Sequence, residues 1–289
     1  MKLEHLVAEL DAYFRVPDVE NDDWSSIYAH VYPDSYWREF VEPLYEGRWN
    51  GLMVRGSVEA ERVRTCVFPS DSIVAAVEPE SLLFSEHPIA FEDDVEGFAP
   101  LARETFAGMK SRGVSFYHVH APLDQHPEVS PSRLCAQGVG LTNLDEYFPI
   151  ADGIPGGAAI AGDSELGLDE LAARLRGFLG EEIPVEVVTR PRAEAGRVAM
   201  VAGGGASKEI LEASLERGCR TFVTGNATTR CQLDFVQAEV REFRELADAE
   251  GVALVNATHY GMEKPPQLAM VEWFRARGVD AEFRPGAPE

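Results

Sequence analysis

Residues 255–266 read VNATHYGMEKPP. The run VALVNATHY has the small and β-branched composition of a buried strand, and it closes on His259. Glu263 follows four residues later, and Pro265 and Pro266 then open the next predicted helix, PPQLAMVEWFRARG. Outward from this stretch the same alternation recurs. VEVVTR, RVAMVAGGG and CRTFVTGN read as strands, separated by the helical runs SKEILEASLERG and DFVQAEVREFRELADAEG. Nearer the start, VRTCVFP, SLLFSEHP and VSFYHVHA are strand-like, and FAPLARETFAGMKSRG is a helix stopped by Gly113. Regular β–α alternation predicts an α/β fold with largely parallel or mixed sheets flanked by helices.

The chain of 289 residues is long enough for one large domain or two modest ones. Its Gly-rich stretch ADGIPGGAAIAGDSELG marks a boundary between two units. MKLEHLVAELDAYF is an amphipathic helix rather than a secretory signal, and no apolar run reaches membrane-spanning length, so a cytoplasmic protein is expected. The formal charge of −23 argues against nucleic-acid binding, which needs clustered Lys and Arg. Four well-separated cysteines form no C-x-x-C pair and read as buried free thiols. The aromatic segment 17–48 reads as a helical cover packed on the core.

Three strand ends carry side chains of metal-binding type. SLLFSEHP ends in Glu86 and His87, VSFYHVHAPLD in His118, His120 and Asp124, and the opening stretch in His259 and Glu263. Imidazole mixed with carboxylate suits divalent Zn, Fe, Mn or Ni, and ligands gather at the carboxyl ends of strands in open α/β sheets. His118 alternates with His120 across Val119, so it either supports the site from behind or simply packs against the sheet. The turn Gly203–Gly205, with Lys208 beyond it, is either a phosphate cradle at a helix N-terminus or only a tight βα turn.

SEHPIAF, HAPLDQHPEVSPSRLCAQGVGL, VAMVAGGGAS, TFVTGN and ATHYGMEKP occur in the order found in the Nif-three-like family, also called GTP cyclohydrolase I type 2-like proteins. WNGLMVRGS resembles that family's Asp-Asn-x-Gly-Leu segment. The resemblance implies two α/β domains, the second (142–251) inserted into the first (1–141 and 252–289), a two-metal cleft and a ring-shaped homohexamer. It also implies metal ligands at His87, Asp124, His259 and Glu263, with His120 beside the metals. Glu86 stands where the family has a histidine; as a carboxylate it keeps a ligand and favours harder cations. Asn226 stands where the family usually has an acid.

The expectation is a metal-dependent hydrolase with one or two divalent ions held by Glu86, His87, Asp124, His259 and Glu263. Water activated by metal is the nucleophile, and His120 shuttles a proton. The resemblance implies a small-molecule substrate such as the nucleotide GTP. The alternative is a metal-binding oligomeric scaffold without catalysis.

Overall fold

The computed structural model describes residues 1–92, 97–190, 196–228 and 233–286. Strands β1 (Gly51–Val54), β2 (Arg62–Cys66) and β3 (Ser81–Ser85) are followed by a small ribbon of β4 (Ala90–Glu92) and β5 (Gly97–Ala99), then by β6 (Ser115–His118). The chain next lays down β7 (Thr142–Tyr147), β8 (Ala159–Asp163), β9 (Glu186–Thr189), β10 (Arg197–Val201), β11 (Cys219–Thr224) and β12 (Ala253–Asn256), and ends on β13 (Asp280–Phe283).

Two mixed sheets result. The first has the order β1-β6-β3-β2-β13, parallel throughout except where β1 joins β6. The second has the order β7-β8-β10-β11-β12-β9, with a parallel centre at β10, β11 and β12 and antiparallel edges. All strands of the second sheet fall between β6 and β13 of the first, so one sheet is nested in the other.

The expected return at residue 252 needs correction at the level of sheets. β12 pairs with β11 and β9, so the chain leaves the second sheet only after Asn256. The helix that follows also starts earlier than expected, at His259 rather than at the prolines. Thr258 caps it by accepting from the Gly261 N–H at 2.9 Å, which fixes the start whatever lies downstream. Pro265 and Pro266 therefore sit inside the helix. Pro266 cannot donate to the Met262 carbonyl, and the Cys135 thiol reaches that carbonyl instead, at 3.6 Å.

Alternation along the strands builds a core on both faces of each sheet. In the first sheet Leu83 and Phe116 meet the aromatic cluster of Trp24, Tyr28, Tyr32 and Trp37, so the segment 17–48 covers this face. Leu82, Phe84 and Tyr117 point the other way, onto Leu6, Leu10 and Phe274 of the N-terminal helix (Leu3–Tyr13) and the helix His259–Arg275. In the second sheet Val198 and Met200 pack with Leu171, Leu175 and Met262, while Ala199 and Val201 face Ile210 and Phe243. Each such fully buried Leu or Phe contributes about 1.5–3 kcal/mol from desolvation. Among the described residues no helix is long and apolar enough to cross a membrane.

Candidate metal centre

The parallel strands of both sheets send their carboxyl ends toward one cleft of about 370 Å³. After β3 the Ser85 hydroxyl donates to the His87 carbonyl, and the His87 N–H donates to the Val67 carbonyl at 3.2 Å. That turn splits two consecutive side chains. Glu86 accepts from Gln267 Nε2 at 3.3 Å, and His87 swings into the cleft. After β6, the short helical turn Ala121–Asp124 brings Asp124 back beside His120, with Nε2 to Oδ2 at 3.6 Å. His259 and Glu263 lie one turn apart on one helix face.

His87, His259 and Glu263 converge most tightly. Each offers a donor atom within 4.8 Å of the others. The two Glu263 oxygens divide between the rings: Oε2 is 2.8 Å from His87 Nε2, and Oε1 is 2.8 Å from His259 Nε2. Phe68 stacks on His87 at 4.3 Å and meets His259 edge-on at 5.1 Å, packing against both imidazoles. Burial pulls His87 down to about 4 against the pull of Glu263, so it is neutral with a free lone pair at pH 7. Burial would raise Glu263, yet His259 and His87 outweigh it and hold the carboxylate down to about 2.

The other expected site residues line the same cavity or its floor. Burial raises Asp124 to about 7, His120 opposing and the Glu263 charge adding to the rise. Burial, with the charges of Glu263 and Asp124, raises the fully buried Glu86 well above its ordinary value. Glu86 and Asp124 thus adjoin the converging three without belonging to that tight group. His118 is buried behind the site, its Nδ1 3.1 Å from the Tyr45 hydroxyl.

This donor set fits a divalent ion. Two imidazoles and a carboxylate supply nitrogen and oxygen at one point, and the buried His87 Nδ1, Glu86 Oε1 and Gln267 Oε1 have no hydrogen-bond partner. Glu86, Asp124 and Glu263 crowd three carboxyl groups together, each disfavouring ionisation of its neighbours, an arrangement a cation would relieve.

Asp22 escaped the sequence reading. It lies 98 positions before His120, yet its Oδ1 is 3.3 Å from His120 Nδ1. Burial would raise it, but His120 and the Asn50 amide hold it down to about 2. The doublet Asp22–Asp23 beside Trp24, inside an otherwise aromatic run, is the only signal the sequence offered. Gly203 also joins the site. Its φ of +63° and a would-be Cβ only 2.1 Å from Glu263 Oε1 leave room for no side chain. The glycine turn is thereby accounted for by close approach, and Lys208 pairs with Glu212 at 3.9 Å.

The family model for Duf34/NIF3 (NGG1p interacting factor 3) matches residues 39–283. The chain belongs to the Duf34/NIF3 family. A Nostoc protein named "GTP cyclohydrolase 1 type 2 homolog" is 26% identical over 245 residues, 78% of this chain and 85% of that protein. A Deinococcus radiodurans protein of the same name is 28% identical over 218 residues, 74% of this chain and 75% of its own length. Among solved structures, protein ybgI, described as of unknown function, aligns over 100% of both chains with a TM-score of 0.68 and 19% identity. Reduced HcgD from Methanocaldococcus jannaschii aligns over 98% of this chain and 97% of its own, with a TM-score of 0.66 and 17% identity. At such identities the solved structures establish the NIF3 fold, and the fold alone.

Proposed function

We propose that this NIF3-family chain is a metal-dependent hydrolase holding one or two divalent ions, drawn from Zn, Fe, Mn and Ni, and acting on a small nucleotide-like substrate. The convergence of His87, His259 and Glu263 in the lining of the cleft carries the proposal. The names of the curated relatives supply the substrate class. A bound divalent ion would lower the pKa of water toward neutrality and polarise a substrate oxygen.

His87 and His259 would hold the ion through a ring nitrogen each, and Glu263 through its carboxylate. Asp124 and Glu86 would serve a second position. Burial draws His120 downward, but Asp22, Asp124 and Glu263 together lift it to about 9, so it carries a proton it can donate beside Asp124. Among the described residues no lysine or arginine lines the cleft, so positive charge for a phosphate-bearing substrate would come from the ion.

A second reading, a metal-binding scaffold without catalysis, is favoured by Glu86. Its carboxyl is fully buried against Gln267, as a structural group would be. The ring-shaped hexamer implied by the family resemblance fits either reading, and its mass in solution tests it.

The experiment is elemental analysis of untagged protein beside Asp124→Ala and His259→Ala, followed by a turnover screen that starts with GTP. Metal retained by the wild type and lost from the variants, together with product release, supports the hydrolase. Metal without turnover of any nucleotide leaves the scaffold. Absence of metal uptake for every ion offered refutes both.

A further inference from the structure

Four groups converge on the two oxygens of Asp22. The Trp24 indole N–H at 3.2 Å and His120 Nδ1 at 3.3 Å meet Oδ1. The Asn50 amide at 2.7 Å and the Ala121 backbone N–H at 3.1 Å meet Oδ2. Indole, amide and backbone N–H can only donate, so the residue at 22 has to be a pure acceptor, a carboxylate. That requirement passes to His120, whose Nδ1 faces the same oxygen and must carry hydrogen. Its Nε2 is then turned toward Asp124 Oδ2.

The rest of the ring's surroundings agree. The His120 backbone N–H donates to Asn50 Oδ1 at 2.8 Å, which ties the main chain to the residue that also anchors Asp22. Trp24 stands edge-on to the imidazole at 4.8 Å and 87°, limiting its rotation. Asp22 and Trp24 both precede residue 39, where the match to the family model begins.

We propose that Asp22 is a positioning residue of the metal centre: it fixes His120 with Nδ1 protonated and Nε2 presented to the cleft beside Asp124. The effect on metal uptake rests on the reading of the cleft as a metal site; the effect on the imidazole does not. A histidine whose outer nitrogen is held by a carboxylate keeps its orientation and basicity; loss of that partner frees a ring that sits beside the proposed ligand Asp124.

The test uses the full chain labelled with ¹⁵N-histidine and freed of metal. Long-range ¹H–¹⁵N spectra should show His120 Nδ1 protonated at every pH at which the protein is folded. In Asp22→Asn the amide presents hydrogens to a pocket of donors, and His120 should shift toward the Nε2–H tautomer. Competition against a chelator should show zinc bound more weakly, because the freed ring no longer holds its place beside Asp124. Asn50→Ala cuts another anchor of the same loop but leaves the carboxylate on the ring, and should keep the wild-type tautomer. Equal effects of Asn50→Ala and Asp22→Asn on the ring would reduce Asp22 to a loop tether and overturn the proposal. So would a wild-type His120 lacking hydrogen on Nδ1, a result that stands even if Asp22→Asn fails to fold. A wild type that takes up no zinc refutes the metal reading, and the Nδ1 result still decides the role of Asp22.

Discussion

Replacing Gly203 with alanine tests the contact between the glycine turn after β10 and the Glu263 carboxylate at a single carbon. The added Cβ would start 2.1 Å from Glu263 Oε1 and 3.1 Å from His259 Nε2, against 3.4–4 Å for ordinary contact. The carboxylate would have to retreat by roughly 1 Å or more to reach a contact minimum. That retreat breaks the 2.8 Å approaches to His87 and His259 together, because Glu263 serves both rings. The backbone adds its own cost: at φ +63° an L-residue is disfavoured by roughly 1–2 kcal/mol. The combined loss in folding stability should be on the order of 2–3 kcal/mol. Zinc affinity should fall at least about tenfold, which corresponds to 1.4 kcal/mol.

Urea unfolding of chelator-treated protein measures the first quantity, and chelator competition the second. Gly177→Ala is the matched control. It lies in the helix Leu168–Leu179 with nothing within 4 Å of a new Cβ, and should gain about 0.5–1 kcal/mol. If Gly203→Ala lost less than about 0.5 kcal/mol and bound zinc as the wild type does, the described contact between turn and carboxylate would be wrong.

Glu263→Gln should lower zinc affinity on the order of 100-fold while leaving the circular dichroism spectrum unchanged; unaltered affinity would remove Glu263 from the ligand set. In the metal-free protein, the folded-state value of His120 lies above its ordinary 6.5, at about 9. Its contribution is therefore complete below pH 6.5 and lost as pH rises through 9. Stability should fall between pH 6 and pH 10 by up to about 3 kcal/mol more in the wild type than in His120→Gln, and parallel curves would contradict the assignment. Burial raises the Cys66 and Cys135 thiols far above their usual range, so a thiol reagent should label them only after denaturation. Labelling of either in the native protein, mapped by mass, would show that it is not buried as described.

The α/β class was legible because β-branched runs such as VRTCV and RVAMV are too short and too apolar for helices, and the amphipathic runs between them too long for turns. His87, His259 and Glu263 were legible as members of motifs, the last two by their spacing of one helical turn. Sheet membership was not. ALVN of β12 would suit either sheet, and only its pairing with β11 and β9 decides. The prolines misled because a proline pair usually opens a helix, whereas here the Thr258 cap starts it first and the Cys135 thiol occupies a carbonyl that Pro266 leaves unserved. Asp22 was illegible because its role depends on a fold-back of 98 positions, and an aspartate beside a tryptophan has no periodicity to mark it.

The helix bearing His259 and Glu263 follows the whole second sheet, and Glu263 meets a histidine 176 residues upstream. During synthesis the chain emerges from its N-terminus, so the first four strands of the outer sheet and their aromatic cover are made long before this helix exists. Through most of translation His87 and His120 face a half-open basin without its principal carboxylate. The nascent polypeptide thus lacks a competent pocket until nearly all of it has been made, and an ion captured early would have no finished seat. Loading of the proposed ion would then have to follow completion of the chain's last helix.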